Sequence, residues 1–276
     1  MLNAKQSIPL AHGIGVAHLR SITGLEEQAL EAINSLSAID LLDRLLLDSS
    51  LADVKPGQAK SLPISERDKL LAAVFIDLFG SDIENTVDCQ QCAEQFELNF
   101  SLAAVQQNLA QTEAEGVKKF GDRLNRNGSA HYVYTLDDGR EIEFRLPTGE
   151  DEISFLHQLS HSSVAEPNAV NLLTQCVLSD LHAGDEEFVE SVLEHIAPNL
   201  DIELDAECPE CAHAHKFMFN LQDYLLRKLH NDRPGLQREI HALAINYGWS
   251  LEQILSLTRH DRTSLFTMTQ SELGSA

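Results

Sequence analysis

The chain has 276 residues, with 20 lysines and arginines against 43 aspartates and glutamates, for a formal net charge of −23. That balance argues against a protein held on DNA or RNA by phosphate contacts, and against one drawn to anionic membrane surfaces. With 43% hydrophobic and 23% charged residues, the chain can build one large domain or two smaller ones with real cores, and global disorder is excluded.

The longest unbroken apolar run, Leu70 to Ile76, is seven residues, whereas a membrane-spanning helix needs about 20. Residues 1–24 contain Gly13, Gly15 and a few basic residues but no apolar block of the secretory kind, so a cytoplasmic protein is expected whose first 24 residues form a flexible arm or an interface strand. From Leu25 the pattern turns helical, with one stripe through Ala29, Leu30 and Ile33 and a second through Ile39, Leu42, Leu45 and Leu46. Lys55-Pro56-Gly57 interrupts it. Ser65 then reads as an N-cap with acids in the following turn, opening a helix through Leu71, Val74, Phe75 and Leu78 that Gly80 ends.

Next come Cys89 and Cys92, after which Phe96, Leu98 and Phe100 alternate with polar residues, as in a strand with one buried face. Tyr132 to Leu146 reads as a hairpin around Asp138-Gly139, and Thr148, Gly149 or Glu150 can cap a helix through Ile153, Leu156 and Leu159. Helical patterns follow at 167–181 and 185–196. Cys208 and Cys211 precede a second alternating run, Phe217, Phe219 and Leu221, and another helical start. The order turn, C-x-x-C, strand, helix thus occurs twice. The last fifth is helical, with Leu236, Ile240, Leu243 and Ala244 on one face, Trp249 as a buried plug between two helices, and a capping box at Ser250-Leu-Glu-Gln253.

The expected architecture is α+β and predominantly helical, with a small antiparallel sheet and a split, zinc-ribbon-like site. It divides into the arm 1–24, an N-terminal helical region 25–80, a central α+β region 81–222 carrying hairpin 131–146 and the split site, and a C-terminal helical region 223–276. Cys89, Cys92, Cys208 and Cys211 are the candidate ligands of a structural zinc, since two C-x-x-C turns complete a tetrahedral four-sulfur site. The 115 residues between Cys92 and Cys208 are no obstacle. Loop closure costs only about 0.6 kcal/mol more per doubling of length, against an apparent ~10–16 kcal/mol for structural zinc in small peptides. A redox role would need a C-x-x-C at a helix N-terminus, and both pairs run into strands instead.

A site closed by four thiolates leaves no position for water, and no hydrolase, dinucleotide or phosphate-loop signature appears, so no enzyme is expected. His213 and His215 read as outer residues of the metal site. His157 and His161, one helical turn apart, are two surface residues or, alternatively, ligands of a second, catalytic metal. Cys176 reads as a small buried hydrophobe.

Three blocks carry a resemblance: Leu62-Pro-Ile-Ser-Glu-Arg67-Asp-Lys-Leu-Leu71 through Phe79-Gly80 to the first cysteine pair; Arg145-Leu-Pro147-Thr-Gly149; and Cys208-Pro-Glu-Cys211 followed by His241 to Leu255 with Tyr247-Gly-Trp249-Ser. Over residues 62 to 265 their order resembles the baseplate hub assembly proteins of T-even bacteriophages and related phage-like contractile injection systems. The resemblance implies a structural subunit or assembly chaperone that contacts other baseplate, hub or spike proteins, in the cytoplasm during assembly and in the tail particle. The competing reading is a zinc-ribbon nucleic-acid-binding or regulatory factor, which the acidic charge opposes.

Overall fold

In a computed structural model of the chain, residues 6–161, 175–180, 182 and 184–273 are described. Strands β1 (Gln6–Leu10) and β2 (Gly15–Leu19) form an antiparallel hairpin that buries Leu10, Ala17 and Leu19. Residues 6–19 are therefore not a free arm. The reversal uses left-handed backbone at His12, Gly13 and Gly15, and a Cβ on Gly15 would lie 2.2 Å from Asp53 Oδ2, which accepts the Val16 N–H at 2.8 Å.

Helix α1 (Gly24–Ala29) starts with a capping box between Thr23 and Glu26; α2 (Ser35–Leu45) is capped by Asn34 and buries Ala38, Ile39, Leu41, Leu42 and Leu45. Leu25 and Ile33 remain exposed, so the first helical stripe is shorter than its apolar residues suggest. Helix α3 (Ile64–Phe79) begins two residues earlier than expected, with Pro63 at the cap and Ser65 inside. Leu70, Leu71, Ala72 and Phe75 are fully buried on it, and Gly80, at φ +82°, closes it by donating to the Ile76 carbonyl.

The first turn of α3 is a buried polar hub. Glu66 accepts the Ala11 N–H at 2.9 Å and lies 2.7 Å from Lys69 Nζ; Arg67 pairs with Glu152 at 2.7 Å; Asp68 accepts the Leu200 N–H at 2.8 Å. All three side chains are buried. Burial opposes ionisation of Glu66, yet His12, Lys69 and the Ala11 N–H hold its carboxyl below the usual range. At Asp68 burial wins, raising the pKa to about 6 against the Leu200 N–H and Arg67.

The chain continues through β3 (Asp82–Asp88), β4 (Gln95–Ser101), α4 (Leu102–Phe120), β5 (Leu124–Arg126), β6 (His131–Thr135), β7 (Glu141–Arg145) and α5 (Gly149–His161). After the undescribed stretch come α6 (Asp185–Ile196), β8 (Asp201–Glu207), β9 (Ala214–Asn220) and α7 (Leu221–Asn231). The expected 131–146 hairpin is present, with its turn at Asp138-Gly139, and β5 adds a third strand to it. Thr148 starts α5, its hydroxyl donating to Asp151 at 2.7 Å while Arg145 clamps the same carboxylate. Most of the helix expected at 167–181 lies outside the described residues.

The molecule is about half helical with small antiparallel sheets, four among the described residues. One core gathers the N-terminal hairpin, α2, α3 and α7; a second joins Tyr132, Tyr134, Ile142 and Phe144 to Val189, Val192 and Ile196 of α6.

Helices α8 (Arg233–Tyr247), α9 (Leu251–Leu255) and α10 (Arg259–Leu273) complete the chain, and the capping box at Ser250 and Gln253 forms as read. Trp249 is only half-buried and stacks on Tyr247 at 4.9 Å, which corrects its expected role as a buried plug. The brace of this region is instead Arg262, fully buried and bonded to Glu239 at 2.6 Å and Glu27 at 2.7 Å, which ties α10 to α8 and α1.

Two stability predictions follow from these placements. Because the folded pKa of Asp68 lies above its unfolded value, this group favours folding at low pH and loses that contribution as pH rises through about 6. Asp68→Asn keeps an acceptor for Leu200, so its advantage over the wild type should grow from nil near pH 4 to on the order of 1–3 kcal/mol by pH 7. Urea midpoints that differ by the same amount at both pH values would contradict this. Trp249→Ala should cost about 1–2 kcal/mol by denaturant unfolding, below the ~3–5 of a fully buried ring.

Candidate metal centre

The two C-x-x-C segments form the tips of two hairpins built alike. In each, seven paired residues per strand flank a six-residue connection, residues 89–94 between β3 and β4 and 208–213 between β8 and β9. In the first turn the Cys89 N–H donates to the Glu94 carbonyl at 2.9 Å and the Ala93 N–H to the Cys89 carbonyl at 2.9 Å. In the second, Cys208 donates to His213 at 3.0 Å and Ala212 to Cys208 at 2.9 Å. Ala93 and Ala212 both take left-handed backbone, at φ +61° and +57°. Each hairpin then enters a helix through a polar cap, Ser101 or Asn220.

The hairpins meet from base to tip. Phe100 and Phe219, 119 positions apart like Cys89 and Cys208, touch edge to face with centroids 4.9 Å apart. Cys89 Sγ lies 3.6 Å from Cys211 Sγ, Cys92 Sγ lies 3.8 Å from Cys208 Sγ, and all four sulfurs fall within 4.8 Å of one another. Four sulfurs at about 2.3 Å from a central tetrahedral ion are about 3.8 Å apart, so the spacing and the donor set fit a metal ion. Cys89 and Cys208 are buried among Phe96, Val87, Ala206 and Phe217, while Cys92 and Cys211 reach the surface.

Charge is unevenly shared in this cluster. Burial opposes ionisation of Cys89, yet the N–H groups of Cys92 and Gln91 and the ring of His215 bring its pKa down to about 5. Cys92 goes the other way, to about 12: its backbone bond favours the thiolate, but burial and the crowding sulfurs of Cys89, Cys211 and Cys208 outweigh it. Neighbouring thiolates repel, and a divalent cation is what allows all four to ionise together.

His215 takes the outer position expected of it beside the sulfurs: it is buried, with Nε2 3.2 Å from Cys89 Sγ, and it packs between Phe96 and Phe217. The duplication accounts for its burial, because a shift of 119 positions sets His215 over Phe96, an inward-facing place. His213 is exposed. His157 is exposed on α5, the side chain of His161 lies outside the described residues, and the four cysteines are the one metal-capable group among those described. Cys176 is fully buried and its thiol is pushed up to about 11 by that burial.

These features define an acidic protein, about half helical, in which four cysteines from distant parts of the chain come together in a group that could hold a metal ion. Residues 10–123 match the family described as T4 bacteriophage base plate protein, which supports a bacteriophage baseplate protein family for this chain. The match starts ahead of the three resembling blocks, taking in most of the N-terminal hairpin, and ends between the two cysteine pairs. No curated protein and no solved structure matches the sequence.

If the cluster holds metal, adding Co²⁺ to the metal-stripped, reduced protein should produce sulfur-to-cobalt charge-transfer absorption saturating at one ion per chain. Cys208→Ser should weaken that binding by at least tenfold. An unchanged titration in that variant would remove the cluster as the site.

Proposed function

We propose that the chain is a structural subunit of the baseplate or hub of a contractile tail or phage-like injection system, non-catalytic, with a zinc ion held by Cys89, Cys92, Cys208 and Cys211. The family match over residues 10–123 carries the reading. The sulfur geometry supports zinc in particular: all four donors are thiols, which favour a soft, tetrahedral ion, and four protein ligands leave no place for a reacting water. When bound, the ion supplies a crosslink and no reaction; the protein's own part is to hold two hairpins, and the helices that follow them, in one fixed relation.

The partners that fit are other baseplate, hub or spike proteins, met in the cytoplasm during assembly and retained in the tail. Mixing the purified, zinc-loaded chain with hub and spike proteins should give a complex that co-elutes on size exclusion, and zinc removal should diminish it. Absence of any complex under assembly conditions would sink the reading. Mass spectrometry of finished particles separates two roles: a subunit is found in them, whereas an assembly chaperone is found with intermediates and missing from completed tails.

A further inference from the structure

A groove runs past the start of α3, between α4 and the segment Pro198–Ile202. Its two halves, of about 310 and 400 Å³, share Ser65, Leu109 and Pro198. The floor is apolar, with Leu146, Leu193 and Ile202 in the larger half. Along that half stand Glu190 and Glu194, one turn apart on α6, and Asp201 at the start of β8. None of the three has an ion-pair partner among the described residues, although like charges at this helical spacing repel. The one lysine lining the smaller half, Lys69, is already held by Glu66 at 2.7 Å and Glu113 at 3.3 Å.

A ligand with an apolar stem and a positive end matches the apolar floor and the carboxylates beside it together.

We propose that this groove docks an extended, lysine- or arginine-bearing segment of a partner protein, its aliphatic stems lying on Leu109, Pro198 and Ile202 and its cationic heads against Glu190, Glu194 and Asp201. Lysine and arginine suit such a place because they cover apolar surface with their stems while the charge stays in contact with water. A second copy of this chain, at net −23, is repelled by the same field. The proposal deepens the structural reading above by naming the chemistry of the partner surface.

The test is a panel of fluorescein-labelled decapeptides in which lysine or arginine alternates with leucine or alanine, titrated into the full zinc-loaded chain by anisotropy. Binding is expected for at least one member, weakening with salt and absent for the matching glutamate peptides. Glu190→Gln with Glu194→Gln should reduce it about three- to tenfold. The equally charge-changing pair Glu186→Gln with Glu187→Gln, exposed on the same helix, should leave it unchanged. Amide shifts of the ¹⁵N-labelled chain should centre on Ser65, Leu109 and Ile202.

Equal losses in the two double variants, shifts elsewhere, or no binding by any basic peptide would each overturn the proposal. So would a concentration-dependent dimer abolished by the Glu190 and Glu194 changes, which would make a second copy the occupant. The peptide assay needs no baseplate component. Failure to co-elute with hub proteins while peptide binding persists would therefore sink only the assembly reading.

Discussion

Two hairpin tips, 119 residues apart in sequence, must meet so that four sulfurs share a space less than 5 Å across. Much of the remaining architecture is a consequence of that closure. Between Cys89 and Cys208 lie α4, the three-stranded sheet, α5 and α6, all returned to one place by the paired tips. Length adds little to the entropic cost of closing such a loop, so the outcome depends on how strongly the ends are held. The aromatic contact of Phe100 with Phe219 holds the base of the joint, Phe96 against Phe217 its middle, and the sulfurs its tips.

A second clasp works in parallel. Asp68 on α3 receives the N–H of Leu200, directly before β8, across 132 positions of chain. Beside it, Arg67 reaches Glu152 on α5, and Glu66 reaches the N-terminal hairpin. The residues of two resembling blocks are thereby neighbours in space: the Ile64 N–H donates to the Pro147 carbonyl at 2.9 Å, and a Cβ on Gly149 would stand 3.0 Å from Arg67 Nη1. Buried ion pairs contribute little net stability, because desolvation offsets the attraction, but removing one partner leaves an uncompensated charge. Such a hub therefore selects one arrangement of hairpin, helix and strand over its rivals. Arg262, between Glu27 and Glu239, does the same at the C-terminal end.

Elements with a strong local pattern were legible in the sequence. The run Leu70 to Ile76, the Gly80 stop, the Asp138-Gly139 turn and the Ser250 capping box all appear as their local chemistry requires. The N-terminal hairpin was not, because five-residue strands containing Pro9 and bounded by glycines give too short an alternation to rise above an aperiodic reading. Residue type alone makes Ser65 a cap; the tertiary bonds of Glu66, Arg67 and Asp68 accompany a helix start at Pro63 instead. Those three look in sequence like a solvated first turn, and nothing local distinguishes a carboxylate facing water from one buried against a distant N–H. Trp249 was misplaced for the converse reason, since ring size suggests burial while a neighbouring tyrosine can shelter a ring at the surface. The four cysteines were readable because metal chemistry restricts spacing within each pair, and the duplication showed which pairs belong together.

The duplication also shows where the two copies part. Helix α7, after the second hairpin, sinks Leu221, Leu225, Leu226 and Leu229 into the core. Helix α4, after the first, buries only Leu102, Gly116 and Phe120 over 19 residues and runs along the outside. It rests against α6 at Gly116, where a Cβ would come within 2.5 Å of the His195 carbonyl, so glycine is what allows the two helices to approach there. That crossing holds Leu109 on α4 and the carboxylates of α6 on facing sides of the groove. One copy of the repeated unit thus completes the core while the other builds a wall facing outward, and the joint of four sulfurs fixes the relation between them.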